Sequence, residues 1–449
     1  MSQAPPLPGQ IITDMRCQSD TTQSYALFLP SYYDDDPEAE FPVIYAFDAA
    51  ARGITPVELF SEAAEKYGYI IAGSNISENG PWEPILRAAE TMMNDVESRF
   101  RIDKARRYTT GFAGGARVAT SLAVLYGTFE GVIGCGAGFS PNYPPYFDLQ
   151  TCYIGLVGNC DFNYQEMMHL DEWLTKFNID HYIYEYSGGH EWPPKEVITN
   201  AVTWIQFRAM KNDLIWTDYN LREEFYEDHL NLINSFIHQA NYYAAYREAQ
   251  ELTAYMNGVR NMGEVDAILT ELKNNPEVRA ESANIRRILE EERAYYNAYL
   301  NAFEAYKKNY ENSMVSIEPM SYWKDQVRIA WDKIDNGKSY AENLLGRRML
   351  DFLWRTAYQE YENVLGTEYE PIAKKYLDIW VVLQPQAISP YFYLAKLYAG
   401  IGKYSKAINY LQMAIDRGLD DETLIQNDSV LFQLVTLPEY RPVEIRLAR

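Results

Sequence analysis

Arg107-Tyr108-Thr109-Thr110-Gly111-Phe112-Ala113-Gly114-Gly115-Ala116-Arg117 decides how the first half of this chain folds. Arg107 to Phe112 reads as a short strand, and Ala116 onward (Ala-Arg-Val-Ala-Thr-Ser-Leu-Ala-Val-Leu) reads as a helix. Between them Gly111-Phe112-Ala113-Gly114-Gly115 has the frame G-x-S-x-G, in which a strand turns sharply into a helix and presents a nucleophile at the tip. That turn strains its central residue, and small residues two before and two after let strand and helix approach. Gly111 and Gly115 stand in those places. Ala113 stands in the nucleophile's place, and it has no oxygen to attack with.

Outward from this turn, strands and helices alternate. On the N-terminal side, Gly9 to Gln18 and Gln23 to Pro30 read as two antiparallel strands, and Phe41 to Phe47 as a continuous apolar strand of the kind covered on both faces. A helix at Val57 to Tyr67, a strand at Tyr69 to Ser74 and a helix at Ile85 to Phe100 lead to the turn. Beyond it come strands at Val132 to Gly138 and Cys152 to Gly158, a helix at Tyr164 to Phe177, a strand at His181 to Tyr186 and a helix at Lys195 to Met210. That rhythm predicts an α/β domain, a mostly parallel sheet with helices on both faces. The connection from Phe139 to Gln150 is short, so no cap domain is expected over the cleft.

After Lys211-Asn212-Asp213 the pattern changes to three- and four-residue apolar spacing, and the rest reads as helix. Leu221 to His238, Tyr242 to Met256, Ala280 to Lys308 and Tyr340 to Val364 are the longest segments. The expected division is therefore 1–211 and 212–449, with the first part folding by itself. In 389–418, Ala395, Tyr398, Gly402, Tyr404, Ala407, Leu411 and Ala414 match the small and large positions of a tetratricopeptide helix pair.

Composition narrows the function. Among 449 residues, Asp and Glu outnumber Lys and Arg by 63 to 40, a formal charge of −23, which argues against nucleic acid or an anionic membrane as partner. No uninterrupted apolar run is long enough to span a bilayer. The acidic loop Asp34, Asp35, Asp36, Glu38 and Glu40 is read as a solvated face, because bunched adjacent carboxylates point different ways. No metal or other cofactor is called for. Of the four cysteines, Cys135 and Cys152 fall in strands and are read as small core residues.

The chemistry is expected at two strand ends. Where an elbow carries a nucleophile, an acid and then a histidine follow along the chain on loops after late strands. Asp161 follows the strand Cys152–Gly158, and His190 follows His181–Tyr186 in Ser187-Gly188-Gly189-His190-Glu191-Trp192-Pro193-Pro194. The two are expected to be hydrogen-bonded, with Asp161 fixing the tautomer of His190 as a base facing Ala113. An oxyanion hole would use the N–H of Gly114 and that of Ala49 or Ala50, with Arg52 bracing the loop through Asp48. Tyr143, Tyr146, Trp82 and Trp192 are the candidates for lining a substrate pocket.

Taken together, Gln23 to Pro30, Phe47-Asp48 through Arg52-Gly53, Gly111 to Arg117, Asp161-Phe162-Asn163-Tyr164 and Gly188 to Pro194 resemble the α/β-hydrolase superfamily. The closest resemblance is to its polyhydroxybutyrate depolymerase and feruloyl-esterase-like branch, in bacterial proteins joined to a tetratricopeptide-like helical tail. The resemblance implies an α/β-hydrolase domain followed by an all-α domain, an ester-type small substrate, no cofactor, and a serine where this chain has Ala113. It also favours a periplasmic or secreted location over a cytoplasmic one, although Met-Ser-Gln-Ala-Pro-Pro-Leu-Pro-Gly lacks the basic start and apolar core of a signal peptide. Three readings follow: a serine hydrolase whose nucleophile has been changed to alanine, a natural pseudoenzyme that binds a ligand or partner in the cleft, and an interaction scaffold whose helical tail takes a protein partner. The presence of both Asp161 and His190 favours the first reading or a recent loss, because an idle triad is free to drift.

Overall fold

The computed structural model describes residues 6–139 and 151–447. Tyr143 and Tyr146 lie outside them, as does most of the connection over which no cap was expected. The chain divides into two compact units, Met1–Arg286 and Arg287–Arg449.

The first unit is built on eight strands: β1 (Ile11–Arg16), β2 (Ser24–Phe28), β3 (Phe41–Asp48), β4 (Ile70–Ser74), β5 (Ile102–Phe112), β6 (Gly131–Cys135), β7 (Cys152–Gly158) and β8 (His181–Tyr186). Between and after them run α1 (Ile54–Tyr67), α2 (Trp82–Arg99), α3 (Gly114–Tyr126), α4 (Tyr164–Lys176) and α5 (Lys195–Lys211). The spatial order is β1-β2-β4-β3-β5-β6-β7-β8. β2 pairs antiparallel with β1 and β4, and every other pairing is parallel. This is the expected α/β sheet. Every residue of β3 and β7 is buried, as strands covered on both faces require.

Side chains alternate between the two faces with period two. On one face Ile44, Tyr108 and Ile154 join a core with Val57 and Phe60 of α1 and with Ile198, Val202 and Ile205 of α5. On the other, the Tyr45 hydroxyl donates to Glu97 of α2 at 3.3 Å, and the Thr109 hydroxyl donates to the Ala119 carbonyl of α3 at 3.0 Å. β3 has β4 on one side and β5 on the other, so the chain reverses its direction of winding there. The crevice beyond the carboxyl ends of strands at such a reversal is where open α/β sheets bind ligands. The loops after β3 and β5 flank it.

The change from strand to helix falls where expected, but compaction does not follow it. α6 (Tyr219–His238), α7 (Tyr242–Met256) and α8 (Gly263–Asn274) share the core of α5 and the sheet, through Tyr226, Ile233, Ala249, Leu252, Tyr255 and Val265. Trp204 of α5 donates its indole N–H to the Ala254 carbonyl at 3.1 Å, and Phe207 meets Phe225 edge-on at 5.1 Å. The division lies instead within the 36-residue α9 (Pro276–Glu311). The seam expected at 211–213 was read from the end of strand patterning, which says nothing about which face α5 buries.

α7 carries one titratable group of consequence. Burial raises the Glu251 carboxyl from an ordinary 4.5 to about 7, and the neighbouring Glu248 pushes the same way against His229 and Arg247. A carboxyl raised in the fold favours its neutral form. Its contribution to stability is complete below about pH 4.5 and is lost as pH rises through 7. Glu251→Gln is therefore expected to stabilise the first unit above pH 7 by up to about 3 kcal/mol and to change little at pH 4.5. Thermal melts of both proteins across that range check it; a constant difference at all pH values would refute it.

In the second unit α9 continues, followed by α10 (Met320–Asn336), α11 (Tyr340–Val364), α12 (Ala373–Leu383), α13 (Ser389–Gly400) and α14 (Tyr404–Ile415). Its core is separate, and aromatic stacking is prominent in it: Tyr296 lies 3.8 Å from Phe352 and Trp354 5.8 Å from Trp380. α13 and α14 both fall within 389–418. Ala395, Ala407, Leu411 and Ala414 are buried, and Tyr398 stacks on Tyr410 at 5.4 Å. Among the described residues no helix is long and apolar enough to cross a membrane.

Candidate active site

The turn after β5 has the expected geometry. Ala113 adopts φ 52°, ψ −116°, a conformation that costs a residue with a Cβ on the order of 1–3 kcal/mol. Its N–H donates to the Cys135 carbonyl at 2.9 Å, which locks the turn to the end of β6. Gly111 and Gly115 make the crossing possible. A Cβ on Gly111 would lie 2.2 Å from the Gly115 carbonyl oxygen, and one on Gly115 would lie 2.1 Å from that of Phe47. Backbone meets backbone at both points, so neither can yield. Gly114 differs: a Cβ there would meet the side chain of Asn79, which is exposed and able to swing away. Gly115→Ala is expected to cost about 2–4 kcal/mol and Gly114→Ala under about 1 kcal/mol. Urea midpoints compared at constant m-value check the contrast, and equal losses would refute it.

Gly114 and Gly115 open α3, where N–H groups have no intrahelical partner. Among the described residues the Gly114 N–H has no hydrogen bond, and it is a donor beside Ala113 of the kind an oxyanion hole needs. Of the two candidates across the crevice, Ala50 has its N–H committed to Asp48 Oδ1 at 2.8 Å. That leaves Ala49. The Asn79 N–H donates to the Ala49 carbonyl at 2.9 Å, and the Asn79 carboxamide lies against Gly114. Nothing in the spacing of Asn79 pointed to this place, because it comes from a loop after β4.

Asp161 and His190 meet as expected. His190 Nδ1 is 2.9 Å from both carboxylate oxygens of Asp161, which is fully buried. The acid is held by its own loop: the Asn163 N–H donates to Asp161 Oδ1 at 2.8 Å, and the Asn163 side chain donates to the Gly136 carbonyl at 2.7 Å. Gly136, at φ 64°, ends β6 at Cys135, three residues earlier than the pattern predicts, and its missing Cβ leaves room for Asp161 and Phe112. Backbone bonds from Asn159 to Tyr186 and from Cys160 to Gly188, both 2.8 Å, join the acid loop to the histidine loop. The imidazole is 9% exposed and lies between Phe112 at 4.7 Å and Phe162 at 4.5 Å. With Nδ1 on the acid, Nε2 has no hydrogen bond among the described residues. Phe112 precedes Ala113 directly, so the free nitrogen belongs to the ring that packs on the elbow.

Trp192, expected as a pocket wall, is engaged elsewhere. Its indole N–H donates to Asp48 Oδ2 at 2.7 Å, and its ring packs on Phe112 at 5.6 Å. Asp48 is fully buried and also receives Arg52, whose Nε is 2.9 Å from Oδ1 and Nη2 3.0 Å from Oδ2. Burial alone pushes the Asp48 carboxyl up, but Arg52, Trp192 and the Ala50 N–H together hold it below the usual carboxylate range. The expected brace between Arg52 and Asp48 is present. Trp82, the remaining pocket candidate, is half-buried at the start of α2.

No family model and no curated protein matches the sequence. Among solved structures the chain is similar to S-formylglutathione hydrolase from Staphylococcus aureus, at 14% identity and a TM-score of 0.37 over 45% of this chain and 99% of that one. It is also similar to fluorophosphonate-binding serine hydrolase F of the same organism, at 15% identity and a TM-score of 0.36 over 44% of this chain and 98% of that one. A third is Est1E from Butyrivibrio proteoclasticus, at 11% identity and a TM-score of 0.35 over 44% of this chain and 99% of that one.

Proposed function

We propose that the first unit is an ester-hydrolase scaffold of the α/β-hydrolase type whose crevice takes a small ester-type substrate, and which is inactive or nearly so because position 113 is alanine. The ester carbonyl oxygen would rest between the N–H groups of Gly114 and Ala49, and His190, oriented by Asp161, would serve as the base. One observation supports this reading: the Asp161–His190 pair, packed on Phe112, stands beside an Ala113 held at a positive φ in the turn from β5 into α3. No metal or cofactor has a part in it.

The test is Ala113→Ser. Fluorophosphonate labelling at residue 113 and hydrolysis of p-nitrophenyl esters support the reading. A folded variant that neither labels nor turns over any ester would hand the crevice to the alternative, a pseudoenzyme that binds a ligand or partner. The helix pair in 389–418 is proposed as tetratricopeptide-like and as the place for a protein partner.

A further inference from the structure

Two loops must keep a fixed spacing for the proposed chemistry: the one after β3, with Ala49, and the one after β8, with His190. They come from strands separated in the sheet by β5, β6 and β7, so no backbone pairing between β3 and β8 sets their distance. One buried side chain does reach both. Asp48 Oδ1 accepts from the Ala50 N–H at 2.8 Å and Oδ2 accepts from the Trp192 indole at 2.7 Å, two residues from His190. Arg52 closes the remaining lone pairs. Below this tie, the Phe112 ring touches both His190 and Trp192, so a shift of the indole moves the ring against which the imidazole rests.

We infer that Asp48 is a positioning residue that couples the oxyanion loop to the histidine loop, with Trp192 as its partner rather than as a wall for substrate. The inference rests on the acyl-site reading above. Its geometry is favourable for rigid coupling, because a carboxylate taken out of water and bonded by three donors has one arrangement that satisfies it. An indole N–H left facing a vacant partner, or the reverse, would let the loops part. Displacement of about 1 Å at such a site can cost about 10²-fold in rate.

Two measurements test it. In the chain as it stands, Trp192→Phe keeps an aromatic ring but deletes the donor together with part of the indole, and hydrogen exchange read by mass spectrometry should speed up in peptides from both 47–54 and 187–193. A rise confined to 187–193 would overturn the coupling. In the Ala113→Ser background, Trp192→Phe should lower kcat for p-nitrophenyl acetate by about 10–100-fold with KM within about twofold. A raised KM with unchanged kcat would return Trp192 to the substrate wall, and an unchanged pair of constants would make the tie merely structural; either outcome overturns the proposal. Asp48→Asn should lower kcat by a similar factor, and the double variant by no more than either single one; independent, multiplying losses would also overturn it. If Ala113→Ser is itself inert, the acyl-site reading fails by that result, while the exchange experiment still decides whether the two loops are coupled.

Discussion

Ala113→Ser is expected to raise the turnover of simple esters by about 10⁴–10⁶-fold, the scale of what triad enzymes lose when the serine is removed. The backbone needs no change. φ 52°, ψ −116° is already the conformation in which a serine at the tip would present its hydroxyl, and serine adds one oxygen to the Cβ that is there. Its proton would pass to His190 Nε2, and the positive charge developing on the ring would be met by both oxygens of Asp161. Attack on the ester carbonyl would place the new oxyanion by the Gly114 and Ala49 N–H groups and give an acyl-enzyme. Water, activated by the same histidine, would release it. Burst kinetics with p-nitrophenyl acetate read the first step directly. His190→Ala added to Ala113→Ser should abolish labelling. The unaltered chain should show no burst, although trace turnover from oxyanion donors and binding alone is compatible with it. A burst from the unaltered chain would refute the assignment of the nucleophile position.

The second large effect concerns where the chain can be cut. Residues 1–286 are expected to unfold cooperatively as a soluble monomer, and residues 1–211 to aggregate. Removing α6, α7 and α8 uncovers Trp204 and Phe207, both fully buried, and takes away the carbonyls of Ala254 and Tyr255 that receive Trp204 and Arg208. Burying a large apolar side chain is worth about 1.5–3 kcal/mol, so these two aromatics alone approach the net stability of a domain, about 5–15 kcal/mol. Circular dichroism melts of the two fragments decide the matter. A cooperative transition in 1–211 would show that α6 to α8 lean on a core already complete without them.

The sheet and the pair Asp161–His190 were legible because each depended on local order: apolar runs of strand length, a glycine frame, and polar loops directly after strands. β7 and β8 start and stop at the residues expected. What lay beyond reading was anything set by contact between distant segments. Ala50 and Ala49 are equivalent as letters, and only the side chain of Asp48 turning back onto Ala50 separates them. Trp192 sits in a loop like a pocket residue, yet its partner is 144 positions earlier. Asn79 reaches Gly114 from a loop with no motif. β6 stops at Cys135 because Gly136 takes a left-handed turn, whereas a glycine in an apolar run is equally consistent with a strand carried on to Gly138. The seam at 211–213 follows from the end of strand patterning, and a helix buried against more helices, as α5 is, shows the same periodicity as one with a solvent face.

The backbone at position 113 also bears on how small a change the serine variant requires. A left-handed φ disfavours every residue with a Cβ, and glycine there would relieve the strain at no cost in shape. Alanine is instead the residue that differs from serine by one oxygen, and alanine and serine codons of the GCN and TCN sets differ by one base. The positive φ and the Cβ are both present at Ala113, so the Ala113→Ser variant proposed above lies a single nucleotide from this chain.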